Sequence, residues 1–246
     1  MTELTGKRAL VTGGSRGIGA GIALALADKG ADVAITYEKS ADRAADLVRQ
    51  IEAKGRRAVA IQADSADPAA VKRSVGDAVA ALGGLDILVN NAGIARYGNV
   101  ADVSLEDIEA QLNVNVRGVV LATQAAIPHL GDGGRIITIG SCLAERVPTG
   151  GSTIYSMTKS ALLAFTRGLS RELGPQAITV NLVQPGAVDT DMNPADGDHS
   201  DGLRALTALG RYGRTEEIGA VVAFLASPGA SLMTGSVVTV DAGFNA

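Results

Sequence analysis

A tyrosine and a lysine four residues apart are the side chains in this sequence best suited to proton transfer. Tyr155 and Lys159 bracket the segment YSMTK in a helix-forming stretch. This spacing places both residues on one helix face, one turn apart. A phenol has a pKa of about 10, so it needs a nearby cation to exchange a proton near neutral pH. The pair therefore predicts general acid–base chemistry, although an amphipathic surface helix without chemistry has the same pattern.

Ser141 stands fourteen residues before Tyr155, at the end of a predicted strand. Its hydroxyl could lie beside the phenol and hold a carbonyl oxygen. The neighbouring Cys142 is expected to be a small buried hydrophobe, because no base partner is evident. No metal site is expected, because His129, His199 and Cys142 form no ligand-spaced cluster. The aspartates between 189 and 201 lack the glycine and closing glutamate of a calcium loop.

A glycine-rich segment, TGGSRGIG at 12–19, follows the first predicted strand and opens a helix. Its spacing differs from the common G-x-G-x-x-G dinucleotide fingerprint, but the physics is shared. Positions without a side chain let the backbone turn tightly and approach a pyrophosphate, which the helix N-terminus attracts. A structural turn that packs helix against strand is the alternative. The segment lacks the Lys-Ser/Thr ending of a P-loop, so an NTPase is not favoured.

Composition narrows the class of protein. The 246 residues carry a net charge of −4, which argues against a positive field for nucleic acid. Aromatic residues are 3% and Trp is absent, so stacking platforms for bases would be poorly supplied. The single cysteine fits a reducing compartment, and neither a signal peptide nor a membrane span is evident. These features predict a soluble, cytoplasmic protein with a small-molecule substrate, no nucleic acid and no membrane partner.

Strand-like and helix-like stretches alternate along the whole chain, which predicts one doubly wound α/β domain over residues 1–246 with a parallel Rossmann-type sheet of about seven strands. Short apolar runs bounded by turn residues suit strands buried on both faces. The predicted strands are 8–12, 32–36, 57–62, 86–90, 135–140, 178–183 and 236–240, and the predicted helices are 18–29, 41–54, 68–82, 104–130, 153–173 and 215–226. Residues 189–210 interrupt the alternation and are expected to form a mobile substrate lid.

Taken together, these motifs resemble the short-chain dehydrogenase/reductase family over nearly the whole chain. The order of parts agrees: TGGSRGIG, Asp64 after the third strand, NNAG at 90–93, Asn115, Ser141, YSMTK, Pro185-Gly186 and a C-terminal VDAG at 240–243. Each part is weak alone, but their common order makes a chance match improbable. Among its members, the chain resembles 3-oxoacyl-carrier-protein reductase-like carbonyl reductases most. The separation of Ser141 from Tyr155 is one residue longer than the commonest family spacing.

The resemblance implies a role for each catalytic residue. Tyr155 would be the general acid in reduction, and Lys159 would lower the pKa of the phenol and hold the ribose next to the nicotinamide. Ser141 would orient the substrate oxygen. Asn115 would bend its helix and position a water that links Lys159 to solvent.

The resemblance also implies a set of cofactor-binding positions. Asp64 would bond the adenine amino group, Asn90 would help to line the cofactor trough, and the loop after the sixth strand would hold the nicotinamide. The full set is Gly13, Ser15, Arg16, Gly17, Ile18, Gly19, Tyr37, Lys39, Ser40, Asp64, Ser65, Asn91, Ala92, Gly93, Tyr155, Lys159, Pro185, Gly186, Val188 and Thr190.

The end of the second strand bears on the choice between NADP(H) and NAD(H). NAD-specific relatives usually carry an Asp there, whereas this sequence has Tyr37, followed by Glu38, Lys39 and Ser40. Arg16, Lys39 and Ser40 could hold a 2′-phosphate through charge-assisted bonds, which favours NADP(H). Glu38 is counter-evidence, because a carboxylate could repel the phosphate. Both charges at 38 and 39 could also be simple solvated loop residues.

Two activities and one non-catalytic function remain open from the sequence. A ketone/alcohol oxidoreductase is favoured over a 3-oxoacyl-carrier-protein reductase, because five aspartates between 187 and 203 would repel an acidic carrier. Arg146 and Arg211 could offset that repulsion. A nucleotide-sensing protein is disfavoured by the intact catalytic set, and an enoyl reductase by the short Tyr–Lys spacing.

The helix of Tyr155 is apolar nearly all round, which predicts a homo-oligomer, expected to be a homotetramer as in relatives of the family.

Overall fold

Short apolar runs form the strands of one parallel sheet. The computed structural model describes residues 3–246. The seven strands of this part of the chain are β1 Arg8–Val11, β2 Asp32–Tyr37, β3 Ala58–Gln62, β4 Leu85–Asn90, β5 Leu130–Ile139, β6 Thr179–Pro185 and β7 Val237–Val240. Most central-strand residues are buried, as expected for strands covered on both faces.

The strand order is β3-β2-β1-β4-β5-β6-β7, and every neighbouring pair is parallel. The chain first moves outward from β1 to β3 and then returns to place β4 on the other side of β1. This reversal opens a crevice at the carboxyl ends of β1 and β4, where ligands bind in such sheets. The predicted fold class, a doubly wound Rossmann-type domain, is confirmed.

Helices cover both faces of the sheet. They are α1 Gly17–Asp28, α2 Ala41–Glu52, α3 Pro68–Leu82, α4 Leu105–Leu112, α5 Val119–Ala126, α6 Thr153–Leu173, α7 Ser200–Ala205 and α8 Thr215–Ala226. One core lies under α1, α2 and α8, and the other lies under α3, α5 and α6. Within residues 3–246, the structure holds no helix with the length and hydrophobicity needed to cross a bilayer.

The predicted helix 104–130 is wrong in detail, because it is four shorter pieces. A π-helical turn at Asn113–Gly118 separates α4 from α5, and a 3₁₀ turn at Ile127–His129 follows. Leu130 already belongs to β5, which starts five residues before the predicted strand. A shift in register against β4 accommodates the glycine-rich start of β5. The lid segment, 189–210, also contains a short helix, α7.

Candidate active site

Tyr155 lies in the first turn of α6, which packs against the 3₁₀ turn that follows β5. Burial raises the pKa of Tyr155, and a hydrogen bond with Ser141 acts in the opposite direction. Ser141 caps the short 3₁₀ turn Cys142–Ala144 by accepting from the Leu143 backbone N–H at 3.2 Å. The structure therefore brings the two predicted residues together and keeps the phenol protonated.

Lys159 is buried one turn further along α6. Its Nζ donates to the Ile139 carbonyl at 3.0 Å and lies 5.9 Å from the centroid of the Tyr155 ring. Burial lowers the pKa of Lys159 to about 8. The net shift of the Tyr155 pKa is upward in this structure, so the lowering of the phenol pKa that is expected from Lys159 stays a prediction.

Asn115 sits in the π-helical turn and joins the catalytic helix to the end of β4. Its amide nitrogen donates to the Ile94 carbonyl at 2.9 Å and to Thr158 Oγ1 at 3.0 Å, while its Oδ1 accepts from Ile94 N–H at 2.9 Å. The side chain is fully buried. The π turn is the predicted bend in the helix, and the water that Asn115 would position stays a prediction.

The glycine loop between β1 and α1 is built for close backbone approach. Gly17 has φ +55°, a conformation that favours glycine. A Cβ on Gly19 would lie 2.5 Å from the Asn91 side-chain nitrogen, so no larger residue fits there. That nitrogen donates to the carbonyls of Thr12 and Gly13, and Asn91 therefore braces the loop.

A dinucleotide fits this loop. Arg16 stands at the N-cap of α1 without a side-chain capping bond, and the first turn of α1 holds no acidic residue. Within residues 3–246, the first backbone N–H groups of α1 therefore make no hydrogen bond to a capping side chain. Such a helix start attracts a pyrophosphate. Ser15 and Ile18 belong to the same loop and first turn.

The cleft beside the loop leads to the predicted adenine-binding residues. It is lined by backbone and side chains of Thr36, Ala63, Ser65, Asn90 and Ala92, together with Val114 of the π turn. Asp64 follows β3 but accepts from the Ala66 backbone N–H at 2.7 Å. Gly93 lies within reach of both Lys159 and Asn115, since a Cβ there would be 3.3 Å from the lysine Nζ.

The residues at the end of β2 bear on whether the Glu38 carboxylate would repel a 2′-phosphate. Its carboxylate pairs with Lys39 at 2.9 Å, and the exposed pair points into solvent. Ser40 is the N-cap of α2, yet within residues 3–246 its hydroxyl makes no capping bond. Tyr37 is the last residue of β2. A hydroxyl at a helix N-terminus thus stays available to an anion.

The loop after β6 borders the other end of the crevice. Gly186 lies so close to Asp241 that a Cβ would approach its Cα to 2.7 Å. Val188 is buried, and Thr190 packs against the glycine loop, where a Cβ on Gly17 would lie 3.3 Å from the threonine methyl. Pro185, at the end of β6, starts this loop.

Three residues at the site, Arg43, Asp191 and Tyr97, were not among the predicted binding residues. Arg43, in the first turn of α2, and Arg16 both form ion pairs with Asp191. Tyr97 lies at the mouth, with its ring 6.4 Å from that of Tyr155 and 68% of the residue exposed. An arginine at the start of the helix after the second strand was the available signal for Arg43, whereas nothing in the sequence singled out Tyr97.

Comparison with known proteins agrees with this geometry. A family model described as enoyl-(acyl carrier protein) reductase matches residues 13–245. A short-chain dehydrogenase from Burkholderia cenocepacia J2315, crystallised with NADP, is 59% identical, with a TM-score of 0.98 over 99% of this chain and 100% of that one.

Two curated relatives are also similar over nearly their full length. A cyclic-di-GMP-binding biofilm dispersal mediator protein of Escherichia coli is 43% identical over 100% of both chains. Versicolorin reductase 1 of Aspergillus parasiticus is 39% identical over 98% of this chain and 97% of the relative. The motifs, the fold and these similarities agree, and the chain belongs to the short-chain dehydrogenase/reductase family of oxidoreductases.

Proposed function

We propose that this protein is an NADP(H)-dependent oxidoreductase that reduces ketones to secondary alcohols. The observation that carries the proposal is the meeting of Ser141, Tyr155 and Lys159 beside the crevice, with the phenol kept protonated by burial. A protonated phenol in reach of a substrate oxygen is a general acid. The intact set disfavours a protein that only senses a nucleotide.

Each residue has a distinct task in this reaction. When NADPH is bound, its nicotinamide would supply a hydride for the carbonyl carbon. Ser141 Oγ holds the carbonyl oxygen, and Tyr155 Oη gives its proton to that oxygen as negative charge develops there. Lys159, charged below its pKa of about 8, stabilises the phenolate that remains. Asn115 fixes the turn of α6 that carries Tyr155, through its bond to Thr158.

NADP(H) is favoured over NAD(H) by the positive charge at the end of β2. Arg16, Arg43 and the Ser40 hydroxyl lie where a ribose 2′-phosphate would sit, and the carboxylate of Glu38 is neutralised by Lys39. Arginine holds phosphate through several charge-assisted bonds. The similar Burkholderia dehydrogenase was crystallised with NADP.

A neutral ketone of small or medium size is the favoured substrate. The arginines that could attract an acidic carrier protein are occupied, because Arg146 bonds the Phe244 carbonyl and Arg211 holds Glu217 at 2.7 Å. The lid carries less unpaired negative charge than its count of aspartates suggests, since Asp191 and Asp201 are ion-paired. Two exposed aspartates, Asp196 and Asp198, keep the rim unfavourable for an anion.

The exposed ring of Tyr97 offers an aromatic surface at the mouth of the site, against which a flat or apolar ketone can pack. The lid, residues 189–210, is proposed to be mobile and to close over that substrate.

A panel of ketones tested with NADPH and NADH is the direct test of this function. The expected result is NADPH consumption with at least one neutral ketone and a lower kcat/KM with NADH. Binding of NADPH without turnover of any ketone would favour a sensor. A 3-oxoacyl carrier-protein substrate with a kcat/KM well above that of every simple ketone would overturn the substrate assignment.

The assembly is proposed to be a cytoplasmic homotetramer. The outer face of α6 exposes Met157, Ala161 and Ala164, while Phe224 of α8 and Leu232 before β7 form a separate exposed apolar set. A tetramer with two-fold axes needs two different self-complementary faces on each subunit. These two sets can supply them.

A further inference from the structure

The lid carries a carboxylate that occupies the cations best placed to hold a 2′-phosphate. We propose that Asp191 is a specificity-determining residue, which competes with the 2′-phosphate of NADP(H) for Arg16 and Arg43. The inference rests on the proposed NADP(H) dependence. It assigns a role to an acidic residue that lies 175 and 148 positions from the two arginines in sequence.

One oxygen of Asp191 joins three separate segments of the fold. Its Oδ2 accepts from Arg16 Nη1 at 3.3 Å and from Arg43 Nη1. Arg16 begins α1, Arg43 lies in the first turn of α2, and Asp191 belongs to the lid. The next residue back, Thr190, packs on Gly17, so the lid crosses the glycine loop at this point.

The elements that carry the two arginines bring them to the end of β2, independently of Asp191. Arg16 belongs to the glycine loop, whose Gly13 N–H donates to Thr36 of β2, and Arg43 lies in the first turn of α2. In a doubly wound sheet the adenine ribose lies at the end of β2, which here is Tyr37. The twelve-residue helix α2 begins just beyond, and the hydroxyl of its N-cap Ser40 makes no capping bond within residues 3–246. Lys39, the nearest other cation in sequence, is engaged by Glu38.

A phosphate and Asp191 cannot both make their best contacts with these guanidinium groups. A phosphate monoester carries close to two negative charges and offers three acceptor oxygens, so it is the stronger partner. When it binds, Asp191 must give up one or both ion pairs or lie against a like charge. NAD(H) has a 2′-hydroxyl there and leaves the Asp191 pairs intact. Asp191 therefore weakens the binding of NADP(H) alone.

Fluorescence titration of the whole protein with NADPH and with NADH, without a ketone, tests this. Exposed ion pairs contribute modestly, so Asp191→Asn is expected to lower the Kd for NADPH by roughly threefold to tenfold. The Kd for NADH should stay within about twofold. Asp198→Asn is the matched control, since it removes the same charge from the same lid at an exposed residue without a hydrogen bond or ion pair to residues 3–246. It should change neither Kd by more than about twofold.

A double-mutant cycle tests whether the effect of Asp191→Asn on NADPH binding depends on Arg43. Arg43→Ala is expected to weaken NADPH binding, and Asp191→Asn should then lose most of its benefit in the Arg43→Ala background. Three results would each overturn the inference while leaving the proposed function intact. Asp191→Asn could change the Kd for NADPH and for NADH equally, Asp198→Asn could have the same effect as Asp191→Asn, or Asp191→Asn could weaken NADPH binding. A wild-type protein that does not bind NADPH overturns both.

Discussion

The ammonium of Lys159 lies 5.9 Å from the centre of the Tyr155 ring and donates to the carbonyl of Ile139. It is therefore fixed to the end of β5 and beside the ring. The two residues therefore differ in protonation behaviour: burial keeps Tyr155 protonated, whereas burial lowers the pKa of Lys159 to about 8.

Replacing Tyr155 by Phe removes the proton donor and preserves the ring. Ketone reduction is expected to fall by at least ~10²–10⁴-fold, the usual contribution of a general acid. Steady-state kcat with NADPH measures it, and the Kd for NADPH should change little. Tyr97→Phe, which deletes a hydroxyl at the exposed mouth, is the control. Near wild-type turnover in Tyr155→Phe would remove Tyr155 from the mechanism.

The rate of reduction should depend on the charge of Lys159. Its pKa is lowered to about 8, so the ammonium is present below that pH and is lost as pH rises through it. The value of kcat/KM, which reports on the free enzyme, should therefore fall on the alkaline side of about pH 8. A profile that stays flat well above this pH would contradict the assignment.

The same residue should lower the stability of the folded protein. The unfolded chain binds more protons than the folded one between about pH 8 and pH 10.5, so stability rises with pH in that window. Lys159→Met is expected to raise the free energy of unfolding at pH 7 by about 1–3 kcal/mol. Urea unfolding measures this gain, which should shrink toward pH 10. A Lys159→Met protein less stable at pH 7 would show that the bond to Ile139 outweighs burial.

The C-terminal tail should be part of the folding core. Phe244 is 2% exposed, and its carbonyl accepts from Arg146, whose guanidinium lies 5.6 Å from the ring. Phe244→Ala is expected to lower the free energy of unfolding by about 3–5 kcal/mol, as for other buried phenylalanines. Tyr97→Ala removes an exposed ring and should cost within about 0.5 kcal/mol. Similar losses in the two variants would argue against a buried anchor.

Light scattering should give four times the chain mass of 24.9 kDa at micromolar concentration. Ala161→Arg places a charge on the exposed face of α6 and should reduce the mass, because a buried unpaired charge disfavours association. Ala53→Arg, at the exposed end of α2, should leave it unchanged. A stable wild-type monomer would refute the tetramer.

The local patterns of this sequence determined much of the architecture. Predicted strands of five or six residues alternate with helix-forming stretches. The start of α3 is also local information, because Pro68 is its first residue and Asp67 caps it by accepting from Ala69 N–H. The glycine loop and the Tyr155–Lys159 pair were identifiable because spacing along one turn or one helix face is local information.

What spacing cannot determine is how distant segments meet. The π turn at Asn115 depends on bonds to Ile94 and to Thr158, and helix propensity alone predicts a continuous helix there. Asp191 reads as one acidic residue of a solvated lid, yet it lies against two arginines almost 150 and 175 positions away. The pKa of Tyr155 likewise depends on burial. Such contacts and desolvation arise only when the sheet brings its carboxyl ends together, so only the tertiary structure could decide them.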